Sequence, residues 1–338
     1  MRDMHTKLIQ GIFGDDVRLR DQDMLTEDHP RRSGQRGERV RLNIALRAVV
    51  FLAIFAAGMA IIILLGGLVA SVAEPAFIDD LLAGDTSTLT SNRVVMVISV
   101  VGELFAAVLA YLVVVMFMER RRIPYELAPG RLGGLLRGGA MGSFSLALCV
   151  LVLALLGSYR IISVNTSYNP WLDLLTLGLT AGIAEEIIMR GMVLRLLEEW
   201  LGSWVAIVIS AALFGFMHLG NQDGTLWGAT AIAIEAGLLF GAIYIVTRSL
   251  WWCIGLHMMW NIMQGPVFGS IVSGNGEQQS WLVSRWPGPE ILTGGQFGLE
   301  ASIVPVVLLG AVACALLVYA HSGRLIIKSS WSRHVLPK

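Results

Sequence analysis

Long apolar runs constrain this chain more than any other feature of its sequence. Each run is close to the roughly 20 residues that an α-helix needs to cross the hydrocarbon core of a bilayer. Only 15% of the residues are charged, against about 25% in soluble domains. The sequence therefore predicts an all-α, polytopic membrane bundle of about eight transmembrane helices. The runs lie at residues 48–70, 94–118, 138–157, 171–197, 204–220, 226–247, 250–268 and 302–320.

The distribution of basic residues predicts the orientation. Arginines and lysines concentrate before the first run, between the second and third, and after the last, whereas residues 71–93 carry mainly acidic side chains. Because loops rich in Lys and Arg stay on the cytoplasmic side, both termini should be cytoplasmic. An even number of spans agrees with that arrangement.

The chain divides into four segments by composition. Residues 1–47 form a polar stretch without the apolar core of a signal peptide, which predicts a flexible cytoplasmic tail. Residues 48–157 hold the N-terminal transmembrane helices, 158–320 a helical core that includes a long loop at 269–301, and 321–338 a cytoplasmic C-terminal tail. The formal net charge is zero, which argues against nucleic acid as a partner, since binding it calls for a basic surface.

Glu185, Glu186 and Arg190 place three ionisable side chains in the middle of the fourth apolar run. A charge at the centre of a membrane helix costs roughly 2.5–3.5 kcal/mol on insertion scales, so such residues usually face a cavity or a partner. Glu186 and Arg190 are i,i+4 neighbours in the order that favours an ion pair, whereas Glu185 is rotated by about 100°. We therefore expect Arg190 to hold Glu186 and leave Glu185 free for chemistry. The alternative is an acid and base pair that only fixes helix packing.

Two of the six histidines, His218 and His257, lie within the membrane region. Asn261 follows His257 by four residues and shares its helix face. With Glu185, these side chains would supply a base, two imidazoles and a carboxamide, the groups needed to activate water and stabilise an oxyanion. Taken singly, each histidine could instead form an interhelical hydrogen bond.

Three short motifs resemble those of a known family. The stretches EEIIMR (Glu185–Arg190), FGFMH (Phe214–His218) and HMMWN (His257–Asn261) are similar in order and spacing to the EExxxR, FxxxH and HxxxN/D motifs of the CPBP intramembrane proteases. That group, also called the Abi family, is related to the type II CAAX prenyl endopeptidases. The resemblance covers roughly residues 170–265, and the glycine-rich stretch at 288–300 looks like a loop of bacterial members.

The resemblance implies a function and a set of roles. The chain would be an intramembrane endopeptidase of a bacterial plasma membrane that acts on a peptide or membrane-protein substrate. Glu185 would be the general base and His218 would assist it, while His257 and Asn261 would bind the oxyanion. The supporting residues would be Glu186, Arg190 and Phe214.

A zinc-dependent variant of this mechanism stays open. If zinc were used, Glu185, His218 and His257 would be its ligands. The chain has no HExxH pair, and an asparagine is a poor zinc ligand but a good hydrogen-bond donor. These features favour a glutamate mechanism without a metal cofactor.

Two other classes of function remain as alternatives. Some relatives are linked to bacteriocin self-immunity or protein sorting, where the same fold could act as a non-catalytic membrane partner. A proton-coupled transporter would also carry Glu, His and Arg in its bundle, although we see no inverted repeat. Two further intramembrane acids, Glu103 and Glu235, match no motif. They either lie near the site or bind polar groups of other helices.

The predicted spans place the motif residues at different depths. Counted from Trp171, Glu185 lies roughly 21 Å along an α-helix, past the midplane, whereas His218 ends the fifth span near the exported face. If the residues form one site, either these helix ends are misplaced or the helices tilt strongly around a funnel, and we expect the former. The sequence thus predicts that the fourth helix begins after Trp171 and that the fifth continues beyond His218.

Overall fold

A computed structural model describes residues 2–13, 37–74, 76–84, 92–119, 121 and 124–332. Much of the tail predicted at residues 1–47, and the last six residues of the predicted C-terminal tail, lie outside these ranges. The elements before the motif region are α1 (Arg2–Phe13), α2 (Gly37–Ala73), α3 (Ala76–Leu82), α4 (Arg93–Val113, extended by a π-helical turn at Val114–Met118), α5 (Gly133–Leu155) and β1 (Arg160–Val164). Those that follow are α6 (171–201), α7 (Ser203–Met217), α8 (Leu226–Thr247), α9 (250–267), β2 (Leu282–Arg285), α10 (Glu290–Thr293) and α11 (Ile303–Ser322).

Six helices among the described residues are long and apolar enough to cross a membrane, and the chain is an integral multi-pass membrane protein. The all-α class is confirmed, but the count of eight spans is not. The remaining predicted spans form α6 and α9, whose charged and polar residues reduce their apolar character. The six helices are Asn43–Ala73, Arg93–Met118, Pro129–Leu155, Ser203–Gly220, Leu226–Thr247 and Ile303–Ser322.

The predicted later start of the fourth helix was wrong, because α6 begins at Trp171. After α7 a 3₁₀ turn, His218–Gly220, extends the fifth span just beyond His218. The depth estimate assumed a regular α-helix, whereas α6 is π-helical over Leu174–Thr180 and Ile187–Leu194. Because a π-helical turn is wider and rises less per residue, Glu185 lies closer to Trp171 than the α-helical count suggests. Such π-helical segments often occur at functional sites.

The helices differ strongly in how far the protein covers them. The apolar window of α8 is 72% buried, against 6% for that of α2. Helix α8 therefore runs through the centre of the bundle, where it packs against α7 and α11, and α2 lies at the periphery against α4. The exposed apolar surface of α2 suits contact with lipid.

Helices α5 and α9 form the most extensive contact in the bundle. Glycines permit this contact, because a Cβ atom at Gly255 would lie 2.0 Å from the carbonyl oxygen of Leu135, and one at Gly138 would lie 2.2 Å from that of Trp252. Small residues at such positions let helix backbones approach closely in membranes. Since α9 carries His257 and Asn261, this contact fixes one wall of the site.

A two-stranded antiparallel sheet is the exception to the helical architecture. Strands β1 and β2 pair Arg160 with Arg285 and Val164 with Leu282, with an irregularity between them. The sheet connects the segment after α5 to the long loop predicted at 269–301. That loop also contains α10 and short 3₁₀ turns, so it has a defined backbone path.

A buried ionic cluster links the ends of α2, α4 and α6. Glu119 binds Arg47 at 2.8 Å, Arg195 at 2.7 Å and Arg121 at 3.2 Å. Burial alone would raise the pKa of Glu119, but Arg195, Arg47 and Arg121 outweigh this effect and lower the pKa from 4.5 to about 2. Glu119 is therefore ionised in the folded protein at neutral pH.

Candidate active site

Polar side chains from the turn after α7, from α8 and α9, and from the loop before α11 surround one small cavity. Its volume is about 20 Å³, and about 10–15 Å³ on this measure is enough for one water molecule. Aromatic and aliphatic side chains complete the wall. The site is thus a water-sized space with several converging polar groups. The polar lining residues are His218, Glu235, His257, Asn261, Ser273 and Glu300.

A chain of buried charges orients His257. Nδ1 of His257 lies 2.9 Å from Oε1 of Glu186, and the same oxygen accepts a hydrogen bond from Nη1 of Arg190 at 2.8 Å. The predicted Glu186–Arg190 ion pair is therefore present, but the contact of Glu186 with His257 was not foreseen. Gly182, one turn before Glu186, allows this approach, since a Cβ there would lie 2.4 Å from Cγ of Met258.

Arg190 is held on its other side by α8 and by two aromatic rings. Its Nη2 donates to the carbonyl oxygen of Ala236 at 3.0 Å. Its guanidinium carbon lies 4.5 Å from the ring centre of Phe214 and 4.9 Å from that of Phe240. These contacts match cation–π geometry. Phe214, predicted to support the site, therefore packs against both Arg190 and the cavity.

The hydrogen bonds of the two histidines determine which ring nitrogen is available. Nδ1 of His218 lies 2.8 Å from the carbonyl oxygen of Phe214, and since a carbonyl oxygen only accepts, Nδ1 carries the proton. Nδ1 of His257 likewise carries a proton, because its partner is an oxygen of the Glu186 carboxylate, which accepts the hydrogen bond. In a neutral His218, Nε2 therefore has the free lone pair needed to accept a proton. His257 can donate from Nε2 only when its ring carries both protons, and the adjacent Glu186 carboxylate compensates that positive charge.

Asn261 connects α9 to α6. Its Nδ2 donates to the carbonyl oxygen of Leu177 at 3.0 Å, which uses one of the two N–H groups of the amide. The second N–H group is available to an acceptor in the cavity that Asn261 lines. The carboxamide is thus held in place and keeps one donor.

Glu185 lies beside this arrangement rather than in the cavity wall. Its side chain is half-buried and forms no hydrogen bond with any other described residue. It interacts electrostatically with His257 and with Glu103 of α4. Glu103, which no motif included, therefore lies near the predicted base and not among the cavity residues.

Comparison with known proteins agrees with the resemblance seen in the motifs. Residues 167–263 match the family model described as type II CAAX prenyl endopeptidase Rce1-like. This segment, called the Rce1-like domain below, is similar to that family. It contains Glu185, His218, His257 and Asn261, and at the family level it supports a protease. No curated protein and no solved structure gives a significant match to this chain.

Two acids of the cavity were not assigned by the motifs. Glu235 belongs to the Rce1-like domain, and its isolated position in an apolar run was the signal that marked it. Glu300 lies beyond the domain, at the end of the glycine-rich stretch, and nothing else in the sequence distinguished it. Its carboxylate accepts hydrogen bonds from Nε2 of Gln264 at 3.1 Å and from Oγ of Ser273 at 3.0 Å. Burial raises the pKa of Glu300 above 4.5.

The alternative zinc ligands, Glu185, His218 and His257, are not arranged as a metal site. Across the described residues, no group of three or more His, Cys, Asp or Glu side chains is arranged to hold a metal ion. Glu185, His218 and His257 therefore do not form a zinc ligand set in this arrangement.

Proposed function

We propose that this protein is an intramembrane endopeptidase that hydrolyses a peptide bond without a metal cofactor. The observation that carries the proposal is the convergence of His218, His257 and Asn261 on one water-sized cavity within the Rce1-like domain. The substrate would be a peptide or a membrane protein with an extended segment that reaches this cavity from the bilayer or its surface.

In the proposed reaction, Glu185 and His218 activate the water. Nε2 of a neutral His218 has a free lone pair, because Nδ1 donates to the carbonyl oxygen of Phe214. Glu185 has no hydrogen bond to another described residue, so its carboxylate would be free to accept the proton. Together they would convert the cavity water into a nucleophile that attacks the scissile carbonyl carbon.

His257 and Asn261 would then stabilise the oxyanion of the tetrahedral intermediate. The Nε2–H group of a protonated His257 and the second N–H of Asn261 are the donors. Both side chains are held by other helices through bonds to Glu186 and Leu177, so they need little reorganisation during the reaction. Fixed donors of this kind typically lower the barrier by several kcal/mol.

The test uses the full chain in liposomes and an internally quenched peptide that ends in a farnesylated CAAX-type sequence. A non-prenylated peptide serves as a second substrate. Glu185→Gln should reduce cleavage by about 10²–10⁴-fold and leave folding intact, because Glu185 has no hydrogen bond to lose. Glu277→Gln, which changes an exposed acid, is the matched control and should cleave like the wild type.

The same proteins are then incubated with solubilised membrane proteins, and new N termini are identified by mass spectrometry, so that detection does not depend on the chosen peptide. If wild type and Glu185→Gln give the same products and rates in every assay, the proposed function is wrong. Treatment with 1,10-phenanthroline should leave the rate unchanged. A loss of activity that added zinc restores would refute the metal-independent mechanism.

A further inference from the structure

Glu235 is a buried acid in the cavity that has no partner. It lies in a π-helical stretch of α8, Ala233–Leu238, and is 1% exposed. Neither of its carboxyl oxygens has a hydrogen-bond partner among the described residues. Its side chain nevertheless lines the same water-sized space as His218, His257 and Asn261. None of the three motifs accounts for this position.

The surroundings of Glu235 favour the neutral carboxylic acid. A buried carboxylate without a donor costs several kcal/mol, because it has lost its hydration and gained nothing in return. Of the side chains described, no Lys or Arg lines the cavity, and Arg190 is committed to Glu186 and to the backbone of α8. The titratable groups that share the cavity with Glu235 are Glu300, His218 and His257. A second acid nearby further disfavours a negative charge on Glu235.

One proton transfer of the proposed hydrolysis has not yet been assigned to a residue. Glu185 and His218 remove a proton from water, and His257 and Asn261 bind the oxyanion. The amine that leaves when the C–N bond breaks must also gain a proton, because an amide anion is a very poor leaving group. A neutral carboxylic acid beside the cavity water is a suitable donor for that nitrogen.

We propose that Glu235 is the general acid that protonates the leaving amine, an assignment that rests on the proposed function. Water attacks the carbonyl carbon while one of its protons passes to the Glu185–His218 base. As the oxyanion collapses, the C–N bond breaks and the O–H proton of Glu235 moves to nitrogen. The products are a carboxylic acid and an amine. The proton on the base then returns to the Glu235 carboxylate through a new cavity water, which restores the starting state.

The test compares two probes with the same acyl half. One is the farnesylated quenched peptide, whose amine must be protonated, and the other is the p-nitrophenyl ester of its farnesylcysteine acyl segment, whose nitrophenolate leaves without a proton. Glu235→Gln should slow cleavage of the peptide by about 10²–10⁴-fold and hydrolyse the ester within about threefold of the wild-type rate. Because glutamine matches the neutral acid in size, the melting temperature of the Glu235→Gln variant should stay near that of the wild type.

Three results separate the outcomes. Equal peptide cleavage by Glu235→Gln and wild type would overturn the assignment. So would a parallel loss of peptide and ester hydrolysis in a variant that melts like the wild type, since that pattern indicates a role in binding or geometry. If wild type and Glu185→Gln do not differ on either probe, the proposed function itself fails, and the role of Glu235 with it. Glu277→Gln again serves as the control, and Glu235→Asp, which keeps an acid on a shorter side chain, should recover part of the peptide cleavage.

Discussion

Replacing Arg190 by alanine tests how the buried charges of the site are balanced. The substitution removes the donor 2.8 Å from Glu186, the hydrogen bond to the carbonyl oxygen of Ala236 and the contacts with two aromatic rings. Glu186 is fully buried, at 0% exposure, and its Oε2 atom already has no hydrogen-bond partner among the described residues. His257 alone would then have to compensate the negative charge of the Glu186 carboxylate.

The expected loss is about 3–5 kcal/mol of unfolding free energy, the range for removing one partner of a buried ion pair. Most of this loss should come from the charge left on Glu186 rather than from the missing contacts. The double substitution Glu186→Gln with Arg190→Met removes both charges and preserves most of the volume. It should therefore recover most of the lost stability, since replacing a whole buried pair by neutral groups is often nearly neutral.

The assay is SDS titration in mixed micelles, followed by far-UV circular dichroism. The matched control is Arg285→Ala on strand β2, where the side chain is exposed and the expected change is within about 0.5 kcal/mol. Activity should stay low in the double variant because His257 loses its carboxylate partner. A loss below about 1 kcal/mol for Arg190→Ala, or a double variant as unstable as the single one, would refute this account of the charges.

Two further predictions concern regions outside the cavity. The arginines around Glu119 hold its pKa in the folded protein near 2, against 4.5 for an unperturbed glutamate. Their stabilisation is therefore complete above about pH 4.5 and is lost as the pH falls toward 2. In thermal melts, Glu119→Gln should reduce the loss of stability that acidic pH causes. Identical dependence of the melting temperature on pH for variant and wild type would contradict the proposed role of the ionic cluster. Gly255→Val should destabilise the protein by about 1–3 kcal/mol or more through overpacking, whereas Gly133→Ala on α5, where a Cβ meets nothing within 4 Å, should have little effect in the same melts. Equal melting temperatures for these two variants would show that α5 and α9 tolerate a wider spacing.

Local spacing in the sequence was sufficient for several features of this protein. The apolar runs determine the membrane class and the position of the six long helices, because the length of a spanning helix follows from the thickness of the bilayer. The Glu186–Arg190 pair follows from its i,i+4 spacing, which any helix brings together. The three motifs likewise indicated the segment that matches the Rce1-like family model.

Contacts between distant segments were decided only by the tertiary structure. The bond between Glu186 and His257 depends on how closely α6 and α9 pack, and Gly182 permits that distance. The placement of Glu235 and Glu300 in one cavity depends on the path of the loop before α11, which hydrogen bonds such as that from Ser273 to Glu300 maintain. The depth of Glu185 depends on the π-helical stretches of α6. Apolar periodicity specifies which residues enter a membrane or a core, but it does not specify which buried polar groups meet there, because that depends on packing distances between helices far apart in the chain.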